Sequence, residues 1–303
     1  MKILQVTIFS LLASTLVKAQ VFTSIMEQNN ARIHVLDNGS LFNNFLSNST
    51  GYIIPKTGVA GIMYGLNINM IGTDSNGDTY FSKSIYDEGN WSGGPIRNDY
   101  MQTPTPSISC IDKNLIDYHI ANFQEDGYII PTEISSWPAH GDTTNGEEWN
   151  LAPFYDVDQN GEYNPENGDY PCIKGDYCCY VIINDSNPDE QIMGLTSLGM
   201  EAHIMVYQFN STSDAINDAT YFDVKAYNRS AINYEKFILG IFIDGDIGGA
   251  IDDYIGTDIS TSSMYFYNGD LVDENTSGTV GYGTTPPAAG LTNMNNDLVM
   301  TYY

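Results

Sequence analysis

Runs in which apolar and polar residues alternate are concentrated in the second half of the chain. The strongest runs are rich in β-branched and aromatic residues and end at polar turns; they span 178–185, 202–209, 219–228, 236–244 and 264–270. Their regular spacing predicts a mostly β fold, built as an antiparallel β-sandwich or jelly roll. No long segment of the sequence has apolar residues at the i, i+3, i+4 and i+7 positions that indicate an amphipathic helix.

The pattern within each run predicts which strands lie inside the fold. Runs 180–183 and 237–242 are apolar at consecutive positions, as in central strands that are covered on both faces. Run 219–228 alternates instead, which places Asp223 and Lys225 together on one face. The predicted buried residues of these strands are Val181, Ile183, Val206, Phe222, Val224, Ile238 and Ile241.

Changes in composition divide the chain into segments. The unpatterned run 101–110 contains two prolines and predicts a linker or crossing loop, and the polar turn 74–78 predicts a hairpin before it. We therefore expect two β-rich modules with long acidic loops. The predicted organisation is a signal peptide at 1–19, a β-rich module at 20–105, connecting loops at 106–150, and an acidic loop segment with a β-sandwich at 151–303, truncated at its C-terminus.

The N-terminal segment 1–19 predicts export. It begins with Lys2, continues with an apolar stretch and ends at Ala19, which completes a small-residue cleavage site. Cleavage leaves Gln20 at the N-terminus and no transmembrane segment in the mature chain. It also removes two of the 11 basic residues and none of the 38 acidic ones, so the formal charge changes from −27 to −29.

The negative charge arises from a shortage of basic residues, since only 16% of all residues are charged. Nucleic acid is excluded as a partner, because the sequence has no basic run that would displace counterions from phosphates. Divalent cations are the expected counterions for so many carboxylates.

The stretch DVDQNGEYNPENGDYP, residues 156–171, resembles a calcium loop. Its oxygen-bearing residues occupy positions 1, 3 and 5, and Gly161 occupies position 6, where a sharp turn is needed. Position 12 is Asn167 where an EF-hand has glutamate, and the next carboxylate follows at position 14. The predicted Ca²⁺ ligands are Asp156, Asp158, Asn160, the Glu162 carbonyl and Asp169. The alternative is a turn stabilised by bonds between its own side chains and backbone.

A second acidic stretch, IDGDIGGAIDDYIGTD, follows the run 236–244. Five carboxylates so close in sequence repel one another unless a cation lies among them. The predicted Ca²⁺ ligands here are Asp244, Asp246, Asp252, Asp253 and Asp258. The alternative is a solvated acidic loop, since the spacing matches no loop rule.

The chain has four cysteines, at 110, 172, 178 and 179. In an exported protein they favour disulfides, with three possible connectivities. Cys178 and Cys179 are adjacent on a predicted strand and so face opposite sides, which argues against a bond between them. We expect a bridge from one of them to Cys172 or Cys110; the alternative is a pair of buried free thiols.

Signals for catalysis are weak, and no catalytic residue is predicted. The four histidines are scattered, and neither H-E-x-x-H nor G-x-S-x-G occurs. Glu201 and His203 share a strand face and so could contact a substrate, but such pairs are more often structural. Three tryptophans in predicted loops, Trp91, Trp137 and Trp149, could stack on a sugar or cover the edge of the core.

Several motifs resemble a family of large secreted proteins of Bacteroidetes. The motifs are GNWSGGPI at 89–96, SSWPAHGD at 135–142, FYDVDQNGEYNPENGDYPCIKGD at 154–176, YVIIND at 180–185, KAYNRS at 225–230, FIDGDIGGAIDDYIGTD at 242–258, YFYNGD at 265–270 and YGTTPPAAG at 282–290. Members of that family usually end in a type IX secretion (Por) C-terminal sorting domain, which this sequence lacks. The resemblance implies a surface or extracellular protein and no established enzymatic activity.

These patterns together predict an exported, calcium-stabilised β-rich protein that binds or scaffolds at or beyond the outer membrane. Its expected partners are extracellular polysaccharides or proteins. The alternative is a secreted hydrolase that degrades glycans or peptides by carboxylate catalysis. A carboxylate pair with one raised pKa in a deep cleft would favour the enzyme, and a flat acidic surface would favour the binding protein.

Overall fold

The structure is a computed structural model that describes residues 22–44, 47–86, 88–100, 107–276 and 278–295. The predicted signal peptide, residues 101–106 of the predicted linker and the C-terminal residues 296–303 lie outside the described residues. Within the described ranges, every helix falls short of the length and hydropathy that crossing a bilayer requires.

The fold is mostly antiparallel β, as predicted. The N-terminal strands are β1 (Thr23–Met26), β2 (Arg32–Leu36), β3 (Asn43–Asn44), β4 (Ser49–Thr50), β5 (Tyr52–Ile53), β6 (Gly61–Met63), β7 (Gly65–Asp74), β8 (Thr79–Ser82), β9 (Ser84–Ile85), β10 (Glu88–Gly89) and β11 (Ser92–Gly93). The middle of the chain forms β12 (Ile108–Asp112), α1 (Lys113–Asn122), α2 (Thr132–Ser135), β13 (Phe154–Tyr155) and β14 (Tyr170–Pro171). The remainder forms β15 (Tyr177–Asn184), β16 (Met200–Gln208), α3 (Asp214–Asn217), β17 (Tyr221–Asn228), β18 (Tyr234–Asp244), β19 (Asp253–Asp258), β20 (Ser263–Asn268) and β21 (Ala288–Thr292).

Two sheets pack face to face in a sandwich-like arrangement. The first contains the strand orders β1-β2-β5-β6 and β18-β7-β8, and the second has the order β11-β15-β16-β17 with β12 also paired to β15. The predicted hairpin at 74–78 is confirmed, because β7 and β8 pair antiparallel on either side of that turn. A smaller sheet, β19-β20-β21, packs Phe266 against the same core.

Alternate residues of the facing sheets fill the main core. Leu66, Ile68 and Met70 of β7 face the core, and Val181 and Ile183 of β15 belong to the same buried cluster. Full burial of each such side chain stabilises the fold by about 1.5–3 kcal/mol. The predicted burial of Val181, Ile183 and Val206 is confirmed, while Phe222 and Val224 are half-buried against the core.

The predicted boundary near residue 105 does not separate two cores. The long strand β7, from the N-terminal segment, pairs along its length with β18, from the C-terminal segment. Side chains from both segments also fill the same buried cluster. Residues 108–110 of the predicted linker belong to β12, and a break in the sequence pattern carries no information about which strands pair across it.

The prediction that run 237–242 forms a central strand is wrong. Within the described part of the chain, β18 pairs only with β7 and so lies at the edge of its sheet. Ile238 is 62% exposed, and Phe237, Leu239 and Ile241 are also exposed. Two predicted core residues, Ile238 and Ile241, are therefore on the surface. Consecutive apolar residues show that both faces of a strand are suited to burial. They do not show whether another part of the chain covers those faces.

The segment 106–150, predicted as connecting loops, contains β12, α1 and α2 and builds a second core. This core lies on the outer face of β15, which contributes Tyr180 and Ile182 to it. The other buried residues of this core are Ile111, Ile116, Ile134, Trp137, Ala139, Leu151 and Ala152. Helix α1 is capped by Asp112, whose carboxylate accepts from the Asn114 N–H at 2.7 Å. It is short and buries only Ile116 and His119, so its apolar period was too weak to detect in the sequence.

A disulfide joins Cys110 of β12 to Cys179 of β15, which lie directly opposite each other in the ladder. The predicted bridge from the Cys178–Cys179 pair to Cys110 is therefore confirmed. Cys178 is a buried free thiol and Cys172 is a half-buried one. Adjacent strand residues face opposite sides, so only one of the two cysteines in β15 can reach β12.

Candidate metal centre

The acidic loop 156–169 closes a hairpin between β13 and β14. These strands pair Phe154 with Pro171 and Tyr155 with Tyr170, and continuing the register brings Asp156 opposite Asp169. This explains why the carboxylate at position 14, and not position 12, returns to the start of the loop.

Three of the predicted ligands converge. Asp156, Asp158 and Asp169 each offer a carboxylate oxygen, and these oxygens lie within 4.8 Å of one another. The loop turns at Gly161, whose φ of +84° is in the left-handed region that favours glycine. The predicted arrangement of spaced side chains around a sharp turn is therefore present in the fold.

Backbone N–H groups hold the exposed carboxylates in place. The Gly161 N–H donates to Asp156 Oδ2 at 2.8 Å, and the Asn160 N–H donates to Oδ1 of both Asp156 and Asp158 at 3.2 Å. The Gly161 bond, with the Asn160 bond, holds the pKa of Asp156 below its usual value although partial desolvation opposes this. Asp156 is therefore an anion at neutral pH and can bind a cation.

Asp169 is the fixed point of the loop, because it is fully buried. Its two carboxylate oxygens accept from the Val157 N–H at 2.7 Å and the Asn164 N–H at 2.8 Å. Its carbonyl oxygen lies 3.2 Å from Nε2 of His119 on α1. The helix that sequence patterns did not reveal therefore anchors the predicted site.

The remaining predicted ligands have less fixed surroundings. Asn160 accepts from the Glu162 N–H at 2.7 Å through Oδ1 and donates to Asp158 Oδ2 at 3.1 Å. The side chain of Glu162 is exposed, so this residue would contribute its carbonyl, as predicted. Asn167, at position 12, also donates to Asp158 Oδ2 at 3.0 Å. The chemistry of the whole set is hard oxygen, which suits Ca²⁺.

These bonds also fit the alternative of an Asx-rich turn, so the repulsion between carboxylates is what distinguishes the two. Two unit charges 4 Å apart interact by about 1 kcal/mol in water and by about 4 kcal/mol at the surface of a protein. A turn stabilised only by its own hydrogen bonds does not need three converging anions. A cation bound among them would remove the repulsion.

The second acidic stretch does not form one site. Asp252 shares a group of oxygens within 4.8 Å with Asp270 and Glu274, two residues that sequence analysis did not select. Both come from the loop after β20, and only the pairing of β19 with β20 brings that loop to Asp252. Asp258 lies at the opposite end of the same hairpin, where it caps a turn by accepting from Ser260. The prediction that Asp258 belongs to the cluster is therefore wrong.

Asp244, Asp246 and Asp253 influence one another near the end of β18. Burial, together with the charges of Asp244 and Asp253, raises the pKa of Asp246 to about 7. Burial also raises the pKa of Asp253 to about 6, although the Ile247 N–H donates to its Oδ2 at 2.8 Å. The Tyr86 hydroxyl donates to Asp244 at 2.8 Å. A proton or a cation is needed to relieve the repulsion in this group.

The predicted structural role of Glu201 and His203 agrees with their burial, since both side chains are almost completely buried. Glu201 Oε1 accepts from Arg229 Nη2 at 2.6 Å and lies 3.0 Å from Nε2 of His203. Tyr180 completes the network through a 2.9 Å bond to the other ring nitrogen of His203. These groups satisfy one another and leave no access for a substrate.

Two of the three tryptophans are buried, and the third is exposed. The buried indole of Trp91 donates to the Ile68 carbonyl at 2.8 Å, and that of Trp137 donates to the Pro153 carbonyl at 3.0 Å. Trp149 is 40% exposed and stacks on His140, with ring centroids 4.0 Å apart. Of the three, only Trp149 offers an aromatic face to a partner.

No family model, curated protein or solved structure matches the chain. The resemblance to secreted Bacteroidetes proteins therefore stays a prediction. Function has to be inferred from the geometry of the sites themselves.

Proposed function

We propose that the chain is an exported, calcium-stabilised β protein that acts by binding or scaffolding outside the cell. The observation that carries this proposal is the convergence of Asp156, Asp158 and Asp169 in one loop. With Asn160 Oδ1 and the Glu162 carbonyl they supply up to five ligands, and water completes the six to eight oxygens that Ca²⁺ takes.

The ion would stabilise the second core. The loop closes the β13–β14 hairpin, and Phe154, Tyr163 and Tyr170, within or beside that hairpin, pack against the buried residues of this core. Because the folded loop gathers the ligands and the unfolded chain does not, Ca²⁺ raises the free energy of unfolding by about 2.7 kcal/mol when its concentration is a hundred times the Kd.

Export is supported by the apolar segment 1–19 and by the Cys110–Cys179 disulfide. Disulfides persist in oxidising compartments and are rare in the cytosol. The strong negative charge fits an environment in which divalent cations are abundant.

A binding role has more support than the hydrolase alternative. The raised pKa of Asp246 has the property expected of a general acid, but a cavity is also required. The cavity of about 410 Å³ beside Arg32 and His34 has no Asp or Glu in its lining, so Asp246 does not face it. The exposed apolar edge of β18 and the exposed Trp149 are features of surfaces that bind other macromolecules.

Thermal unfolding of the mature chain in excess Ca²⁺ and in excess chelator tests the proposal. We expect Ca²⁺ to raise the unfolding midpoint by roughly 5–10 °C at a hundred times the Kd. Asp158→Ala should remove most of this response, whereas Asp126→Ala, which changes an exposed carboxylate outside the loop, should retain it.

Two results would contradict the calcium site. An unchanged midpoint in chelator would leave only the Asx turn. A full response in Asp158→Ala would move the ion elsewhere, and Asp252→Ala would then test the group at Asp252, Asp270 and Glu274. Screening the calcium-loaded protein against polysaccharides and extracellular matrix proteins tests the class of partner.

A further inference from the structure

A cavity of about 410 Å³ lies on the outer face of the sheet β1-β2-β5-β6. The register opposes Ile25 to His34, Arg32 to Ile53 and Ile53 to Gly61. Directly opposed residues of antiparallel strands project from the same face, so these side chains form one floor. The intervening residues of β2 face the main core.

Two hairpin and loop segments form the sides of the cavity. Asn44, Ser49 and Thr50 come from the β3–β4 hairpin, and residues 278–280 and Gly248 come from the C-terminal part of the chain. Its volume lies within the roughly 300–1,000 Å³ range of small-molecule sites.

His34 lines this cavity and has a buried hydrogen-bonding atom without a partner. The residue is 9% exposed, and its buried Nδ1 forms no hydrogen bond with any described residue. A buried polar atom without a partner costs about 1–3 kcal/mol. Burial and, secondarily, the charge of Arg32 lower the pKa of His34. The imidazole is therefore neutral at pH 7, with one donor and one acceptor nitrogen.

Arg32 brings a positive charge to the same floor. Its guanidinium donates one long hydrogen bond, 3.5 Å, to the Gly58 carbonyl, and it forms no ion pair with any carboxylate in the described ranges. In a chain with 38 acidic residues and 11 basic ones, an arginine that lacks such a partner is unexpected. The guanidinium presents a planar fork of N–H donors that matches a carboxylate.

Apolar side chains complete the walls, namely Ile25, Ile53, Val59 and Val280. A small inorganic anion on Arg32 would leave these walls in contact with water. A ligand that carries both a carboxylate and a compact apolar body would satisfy the charge and cover the walls.

We infer that this cavity binds a small organic carboxylate. The carboxylate lies on Arg32, and the apolar body contacts Ile25, Ile53 and Val280. The carboxylate belongs either to a free organic acid or to the C-terminus of a peptide. This inference does not depend on the calcium loop, which lies in another part of the fold.

Titration of the folded chain with benzoate, followed by two-dimensional NMR and calorimetry, tests the inference. We expect benzoate to bind with a Kd of about 1 mM or below, and neutral benzamide and inorganic sulfate to bind at least tenfold more weakly. A tripeptide ending in valine, with a free or an amidated C-terminus, distinguishes the two sources of the carboxylate.

Variants identify the site. Arg32→Gln should weaken benzoate binding at least tenfold, and Arg32→Lys, which keeps the charge but loses the fork, should weaken it less. Lys83→Gln removes an exposed positive charge outside the cavity and should bind as the parent does. Val280→Trp, at the exposed rim, should block entry without changing Arg32.

Circular dichroism and the unfolding midpoint check that each variant is folded. The inference is overturned if benzoate and benzamide bind equally, if neither binds at about 20 mM, or if folded Arg32→Gln binds benzoate as the parent does. Unchanged binding in folded Val280→Trp would also overturn it, because the ligand would then lie outside this cavity.

Discussion

Buried carboxylates in this protein differ in charge according to the donors around them. Burial opposes ionisation of Glu201, but the bonds from His203 and Arg229 hold its pKa below the usual value. Asp37 is also buried, at 9% exposed against 0% for Glu201, and has weaker partners. Its carboxylate accepts from the Phe22 N–H at 3.1 Å and from the Ser107 hydroxyl at 3.4 Å. Burial therefore prevails and raises the pKa of Asp37 to about 6.

A raised pKa makes Asp37 a source of pH-dependent stability. The folded state holds this proton more tightly than the unfolded state, so the stabilisation is fully present below about pH 4 and is lost as pH rises through about 6. Asp37→Asn cannot ionise and keeps an acceptor oxygen. We expect it to match the parent at pH 4 and to be more stable by about 1–3 kcal/mol at pH 8.

Urea unfolding at the two pH values measures this difference. Asp126→Asn, at an exposed carboxylate, is the control and should show no such dependence. A variant that is less stable than the parent at pH 8 would mean that the charged form of Asp37 is needed by the fold.

At the scale of elements, strand pairing determines whether a strand with consecutive apolar residues lies in the centre or at the edge of a sheet. Run 180–183 is central because β12 and β16 flank β15, whereas run 237–242 has a similar composition and lies at an edge. Both were identified as strands from local pattern alone. The neighbours of a strand are set by contacts distant in the sequence, and no local pattern contains them.

The exposed edge of β18 predicts association between chains. Long apolar edge strands pair with other strands unless a charge or a proline interrupts them. Leu239→Lys places a charge in the middle of β18, and we expect the protein to stay monomeric to at least about tenfold higher concentration. Light scattering across a concentration series measures this.

Ile251→Lys adds the same charge at an exposed position outside β18 and serves as the control. If both variants shift the association equally, net charge and not the strand edge is responsible. If neither shifts it, β18 is not the surface that associates.

At the scale of the whole molecule, the disulfide joins β12 to β15, two strands that contribute side chains to both cores. Cys179 belongs to the main buried cluster, and Cys110 packs against it from β12, whose Ile111 faces the second core. The bond removes conformations from the unfolded chain across a sequence separation of 69 residues. We expect the double variant Cys110→Ala, Cys179→Ala to be less stable by about 2–4 kcal/mol, measured by urea unfolding.

Cys172→Ala removes a free thiol and controls for the loss of sulfur. A double variant as stable as the parent would show that the strand pairing alone holds β12 in place.

Sequence patterns predicted the fold class, the strands after residue 178 and the convergence of three loop carboxylates. They did not predict α1, whose His119 contacts Asp169, because a ten-residue helix with two buried residues has little periodicity. They also grouped Asp252 with Asp258, which the β19–β20 hairpin separates, and left out Asp270 and Glu274, which the same hairpin brings near. The spacing of residues along the sequence predicts a site that lies within one loop. It does not predict a site that forms where two segments distant in the sequence meet.

The bond between Cys110 and Cys179 makes a closed covalent ring of the intervening chain. The ring contains α1, α2, β13, β14 and the acidic loop 156–169. A single peptide cut within the ring therefore releases no fragment, because the sulfur bond still joins both sides. A protease that nicks the exposed loop would give one band on a gel without reductant and two bands with it. The backbone can lose its continuity here while every described strand stays attached.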